Sequence, residues 1–333
     1  MSVSDELPLF IDTLNNPSGG AIYSEAPADG FLAAESFSDR SLNISDEQLT
    51  ALTCGTASGN TTRGLRSWAQ GFYSAAHQGG EDGLQGYDSR TVGGAIGTDT
   101  SNWIQNAVVG ASLSYAHTNA DARDTTQADT DIDSYQLTLY GDYKLGDQAF
   151  VRGLVGYGRS QNDTLRIQGG ANRGSYGANE FTMLVKSGKA FKHDAMTVTP
   201  SMTARWVHYI PEDYNESGPN ALHVEQDSVD VFEVGPSVDA TWKVRSASGG
   251  WLVPSVHSGI RYDLADEAVS ATYTGGGGPL VSTSPAPAQL RVNLGTSLTV
   301  YTTDSWQFKA GYDMDYRKNF LEHTTMLRGT IPY

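Results

Sequence analysis

From Arg66 to the C-terminus the residues alternate in polarity one by one, and this alternation constrains the chain more than any other feature. In SYQLTLYGDYKLG, Tyr135, Leu137, Leu139, Gly141 and Tyr143 fall on one face of an extended strand, and Ser134, Gln136, Thr138, Tyr140 and Asp142 on the other. WIQNAVVGASLSYAH repeats this, with Ala107, Val109, Ala111, Leu113 and Tyr115 set against Val108, Gly110, Ser112, Ser114 and Ala116. One face is apolar and ends in tyrosine, and the other is polar and rich in small residues. About twelve such segments follow one another, near 66–78, 90–99, 103–119, 130–145, 148–168, 173–191, 194–213, 225–244, 250–263, 287–302, 304–317 and 323–333. An even number brings both ends of a barrel back to the same side of a membrane.

Alternation alone does not say whether the apolar face is a core or an outer surface. The connections do. YKLGDQAF, AFKHDAM and VYTTDSW are tight turns, whereas HTNADARDTTQADTD, YNESGPNALHVEQ and TYTGGGGPLVSTSPAP are long and polar. Short turns at one end and long loops at the other are the pattern of a transmembrane β-barrel, with the long loops outside. No run approaches the roughly 18 consecutive apolar residues of a membrane-spanning helix, so a helical membrane protein is excluded. With 37 Gly, 17 Tyr and only 18% charged residues, the mixture suits a barrel whose lipid-facing and lumen-facing positions average out in any hydropathy window. The reading is an all-β, 12-stranded antiparallel transmembrane barrel over residues 66–333.

A net charge of −16 argues against a nucleic-acid partner, because neutralising phosphates takes a surplus of Lys and Arg. Cys54 is the single cysteine, so neither an intrachain disulfide nor a cysteine-based zinc site can form. G-x-S-x-G, H-E-x-x-H and Walker motifs do not occur. The seven histidines never fall at ligand spacing. Asp129, Asp131 and Asp133 imitate the start of a calcium loop, but Ser134 stands where the loop needs glycine and Tyr140 where it needs glutamate. Gly275–Gly278 has no helix with Lys-Ser/Thr after it and reads as a mobile external loop. No cofactor, metal or catalytic residue is assigned, and the chain is not read as an enzyme.

Residues 1–65 form a separate segment, rich in Ala, Ser, Asp and Asn and without period-two alternation. DGFLAAESFSDRS reads as a helix of small residues. SDEQLTALTCG carries a capping box, Ser45 with Gln48, and Gly55 sits at the C-terminal cap. MSVSDELPLFID lacks the basic and apolar regions of a secretory signal. An exported barrel needs one, so this chain is expected to be a C-terminal fragment of a longer precursor or a piece expressed on its own.

WAQGFYS at Trp68–Ser74, DIDSYQLTLYGDYKLGD, GLVGYGRS near Gly153, VTPSMTARW near Pro200 and AGYDMDYR near Gly311 resemble, in order and spacing, the autotransporter β-domain family of type V secretion. FIDTLNNPSGGAIYSEAPADGFLAAESFSDR resembles the segment that leads from passenger to barrel. The resemblance implies a translocator in the bacterial outer membrane, exporting and anchoring its own N-terminal passenger as a monomer. It also implies a helix threaded through the lumen, for which Ala33, Ala34 and Ser36 supply small side chains in a narrow space. Leu137, Leu139 and Tyr143 would then face the lipid bilayer. Periplasmic chaperones and the barrel-assembly machinery would handle the unfolded chain, with Leu327, Ile331 and Tyr333 as the assembly signal. Pro332, which has no N–H, and Gly329, one place from the family's usual glycine, depart from the pattern.

Some members of that family cleave their passenger inside the barrel by asparagine cyclisation. Here Asn15, Asn16 and Asn43 would be the asparagines, and Asp142 and Glu180 the lumen acids, but the cleavage motif is missing and hydrated lumen residues are the better reading. Two other functions compete with the translocator. A small-solute porin or surface adhesin would need no polar helix before its first strand, and a soluble β-sandwich binding module would need no detergent.

Overall fold

The computed structural model describes residues 65–332, except 81–85, 102, 105, 123–128, 147, 168–169, 247–249, 266–269, 276–277, 284–287 and 302–305. Ala33, Ala34, Ser36, Asn15, Asn16, Asn43, Cys54 and Tyr333 lie outside the described residues. Among the described residues there are twelve long strands: β1 Leu65–Gln78, β2 Tyr87–Thr100, β3 Ala107–Ala122, β4 Asp129–Leu145, β5 Ala149–Ile167, β6 Ala171–Lys189, β7 Met196–Pro211, β8 Val229–Trp242, β9 Trp251–Asp263, β10 Leu290–Tyr301, β11 Gln307–Arg317 and β12 Phe320–Pro332.

Each strand pairs antiparallel with its neighbour in sequence, and β12 pairs with β1 from Arg66↔Pro332 to Gln78↔Phe320, so the sheet closes on itself. Closure leaves no edge among these strands, which a span through hydrocarbon requires of a sheet.

The side-chain pattern is inside-out. Leu113, Leu137, Leu139, Val155, Met183, Leu294 and Leu298 are exposed on the outer face, whereas Gln136, Thr138, Asp142, Arg152, Glu180 and Arg205 are buried within. A soluble sandwich would bury the first set and expose the second.

Tyrosines and a tryptophan mark one edge of the outer apolar belt, each tied to a polar group on the next strand. Tyr115 donates to Asp133 at 2.6 Å, Tyr157 to Asn179 at 2.8 Å, and the Trp206 indole N–H to Asp230 at 2.8 Å. An amphipathic ring placed this way keeps its body in the apolar zone and its tip in water. Along β4 the outward Tyr135 and Tyr143 bracket Leu137 and Leu139. Eight residues at about 3.4 Å each, tilted by about 40°, span about 20 Å of barrel height, close to the apolar band of an outer-membrane barrel.

Tight turns lie at one end, such as the one at Asp194–Ala195, where Asp194 adopts φ 51° and the flanking Phe191–His193 pairs back onto Met196–Val198. At the other end the long connections are not simple loops. Tyr214–Asn215, His223–Gln226, Ser270–Gly275 and Gly278–Thr283 form a second, four-stranded sheet. Gly275 pairs with Gly278, so both ends of that glycine run lie on paired strands.

The cap sheet has its own small core of Tyr176, Tyr214, Leu222, Val224, Ala271 and Tyr273. Tyr176 comes from β6, one of two 19-residue strands, so the barrel wall itself extends into the cap. Arg166 of β5 clamps it further through Glu216 at 2.5 Å and the Asn220 carbonyl at 2.9 Å.

Candidate functional site

The lumen gathers the polar chemistry of the chain, because every inward position of twelve strands points into one enclosed space. Its wall is uneven. Trp68, Phe72, Tyr140, Leu154, Leu184 and Met326 pack into a buried cluster inside the barrel, on the side built by β1, β4, β5, β6 and β12.

Glycines on β2 make room for it. Trp68 is the cross-strand partner of Gly97, and Phe72 of Gly93, so each ring lies flat over a residue without a side chain. A Cβ at either glycine would run into the ring.

Polar groups hold these rings in place. The Trp68 indole N–H donates to the Tyr140 hydroxyl at 2.8 Å, which itself donates to Asp99 at 3.3 Å. Arg66 donates to the same Asp99 at 3.1 Å, and the Arg328 guanidinium lies 5.0 Å from the Trp68 ring centre. Ser74 donates to Glu322, and Thr324 to Ser74, across the closing pair of strands. Lower on the wall Arg152 meets Asp142 at 2.7 Å with both side chains 1% exposed, and its guanidinium sits 4.3 Å over Phe150.

The facing arc, β7 to β11, is lined by small residues. Ser201 and Ser237 hydrogen-bond at 2.7 Å, and Ser255 and Ser297 at 2.6 Å. Ser297 is the cross-strand partner of Gly311, and Ser237 of Gly259. Lys186 of β6 reaches Asp239 on this arc at 3.3 Å, and His257 contacts Asp313 at 2.8 Å, with side chains 14–22% exposed. Bulky side chains thus lie on one side of the lumen and short hydroxyl-bearing side chains on the other.

Toward the cap the lumen holds an arginine cluster. Arg205, Arg261 and Arg291 converge on Glu233 at 3.4, 3.6 and 3.8 Å, and Arg291 also holds Asp315 at 2.9 Å. These charges come from β7, β8, β9, β10 and β11, so the cluster ties five consecutive strands together. A buried charge persists only when paired and hydrogen-bonded, which this sharing supplies.

Of the residues singled out in the sequence, Leu137, Leu139 and Tyr143 lie exposed on the outer face. Leu327 is exposed there too, and Ile331 is partly buried. Asp142 and Glu180 both point into the lumen, one paired with Arg152 and the other accepting from Thr182 at 2.8 Å. They stand on β4 and β6 and do not form one acidic site. Asp131 and Asp133 are spent on Asn119 and Tyr115, and among the described residues no group of three or more His, Cys, Asp or Glu could hold a metal.

The lumen arginines were not anticipated. Their signal was present, since Arg152, Arg205, Arg261 and Arg291 all fall on the polar phase of their strands. A charge on that phase must sit inside and must have a partner.

Comparison with known proteins agrees with this architecture. "Outer membrane protein B" of Rickettsia conorii is 24% identical over 286 residues, covering 80% of this chain and 17% of that protein. An "Extracellular serine protease" of Serratia marcescens is 28% identical over 190 residues, 55% of this chain and 18% of that protein. The chain thus spans less than a fifth of the length of these curated relatives. In three dimensions it matches the translocator domain of the autotransporter NalP from Neisseria meningitidis, with a TM-score of 0.68, 17% identity, and coverage of 91% of this chain and 99% of that one. The family model for the autotransporter beta-domain matches residues 67–313. The chain belongs to the autotransporter beta-domain family, the barrels of the bacterial outer membrane.

Proposed function

We propose that this barrel is the translocator of a longer outer-membrane protein, exporting and then anchoring a passenger attached at its N-terminal side. The supporting observation is the uneven lumen, in which a bulky wall faces an arc carrying serines and glycines, so that the free space lies along that arc. The work is mechanical, with no cofactor and no turnover in the barrel itself. Residues 1–65 thread that space as a linker, and the small side chains of Ala33, Ala34 and Ser36 let a helix about 10 Å across pass. Leu137, Leu139 and Tyr143 face lipid. Leu327, Ile331 and Tyr333 serve as the signal for the barrel-assembly machinery, to which periplasmic chaperones deliver the chain, and the folded product is a monomer.

Deleting residues 1–60 is expected to raise ion conductance in planar bilayers, because the linker then no longer fills that space. Unchanged conductance, with the deleted barrel still folded, would exclude a plug made of this segment.

A further inference from the structure

We propose that the outer face of the barrel carries a specific site for one acyl chain of a glycerophospholipid, in an apolar groove along the seam where β12 closes onto β1. This goes beyond the translocation reading and does not depend on what fills the lumen.

The registers place Phe308, Gly329, Ala69, Ile96, Leu113 and Leu137 side by side in that order across the outer surface. In the next row Ser67, Thr98 and Ala111 are consecutive neighbours. Small residues thus fall together on the first, second, third and last strands, where β4 carries leucine and tyrosine. The result is a cavity of about 730 Å³ floored by Ala69, Thr98, Ala111 and Gly329 and walled by Leu113 and Leu137 on one side and Trp306 and Phe308 on the other.

The chemistry of the lining selects the ligand. No charged side chain lines the groove. One of its hydroxyls, on Thr98, already donates to the Arg66 carbonyl at 2.9 Å. Nothing there is built to hold a headgroup or a polar solute, whereas an alkyl chain meets carbon on three sides.

Within a bilayer such a contact gains little from leaving water. Its gain comes from close packing, as it does where small residues let transmembrane segments approach each other. Against the convex leucine surface elsewhere on the barrel, a lipid chain touches protein on one side only. The groove is continuous with the outer apolar belt, the surface that lipid already covers. A second copy of the chain presents a convex wall and cannot fill a trough cut into a cylinder. Trp306 and the end of β12 place the groove at the short-turn end, the periplasmic leaflet of an outer-membrane barrel.

The test uses the full chain extracted from membranes in mild detergent, with native mass spectrometry reading bound phosphatidylethanolamine. The wild type and Val256→Trp, which places the same side chain on the outer face outside the groove, should each retain one phospholipid after the others have been stripped. Ala69→Trp should lower that occupancy about tenfold. Equal retention in Ala69→Trp, no retention in the wild type, or loss of a dimer in place of a lipid would each overturn the proposal.

A second measurement changes one wall residue conservatively and leaves the floor of the groove intact. In vesicles containing phospholipid with brominated acyl chains, the fluorescence assigned to Trp306 by difference from Trp306→Phe should be quenched to saturation at a low mole fraction of brominated lipid. Quenching that rises in proportion to the mole fraction would mean ordinary annular lipid and would also overturn the site.

Discussion

Between Gln136 and Leu137 one peptide bond separates the lumen from the outer surface, with the first 7% and the second 49% exposed. Polarity at these two positions therefore has opposite consequences. A cation near the bilayer mid-plane costs about 2–4 kcal/mol. Leu137→Arg should cut the fraction of protein that reaches the folded membrane form, while Gln136→Arg, which faces the polar lumen, should lower it far less; gel mobility without boiling measures both. A fluorescent label at Leu139 should be quenched by lipid-borne quenchers, and one at Thr138 by aqueous quenchers. If water alone reaches both labels, the outward assignment of Leu139 fails. The same rule of phase explains why Arg152 and Arg205 can be buried at all, since their positions allow no orientation except into a space already lined by Asp142 and Glu233.

At the scale of elements the twelve strands behave differently from the cap they carry. The cap sheet contains strands of two to six residues and leans on one buried charge pair, Arg166 with Glu216, which also accepts from the Leu222 N–H at 3.1 Å. Removing one partner of a buried pair strands the other charge, at about 3–5 kcal/mol. Glu216→Ala should therefore open residues 212–228 to limited proteolysis and speed their hydrogen exchange, while the gel shift of the barrel stays as it is.

The contrast also explains what was legible in the sequence. Strands of 11–19 residues repeat their alternation often enough to be read, and the expected segments fall on the observed ones, with 225–226 the clearest exception because those residues belong to the cap. His223–Gln226 and Ser270–Gly275 are too short to display a period, and they pair with each other across 45 to 51 residues, so local alternation carried no sign of the sheet they form. The lumen was legible as a polar surface from the same alternation. Its serine arc and arginine cluster depend on the register between neighbouring strands, information that no single strand contains.

For the whole molecule, closure is the property from which the others follow. Register pairs run the length of β1 and β12, and the pairing ends at Arg66↔Pro332, where a missing N–H costs little because the ladder stops there. A closed ring has no strand from which unfolding can start, so the folded form should keep its compact mobility in detergent gels until it is boiled. Removing Phe320–Pro332 from chain refolded directly into detergent, where no assembly machinery reads the end of the chain, tests whether closure is the cause. The deletion takes away the partner of β1 and the partner of β11 at once and exposes two long edges, but leaves the other ten pairings of the sheet untouched. If stability were a sum of local strand pairs, most of the heat-modifiable form would survive. If it belongs to the ring, the truncated chain should run at its unfolded position with and without boiling and should aggregate through its exposed edges. A truncated chain that retained the mobility shift would show that the remaining strands hold together without closure, and the barrel would have to be regarded as an open sheet that happens to meet at its ends.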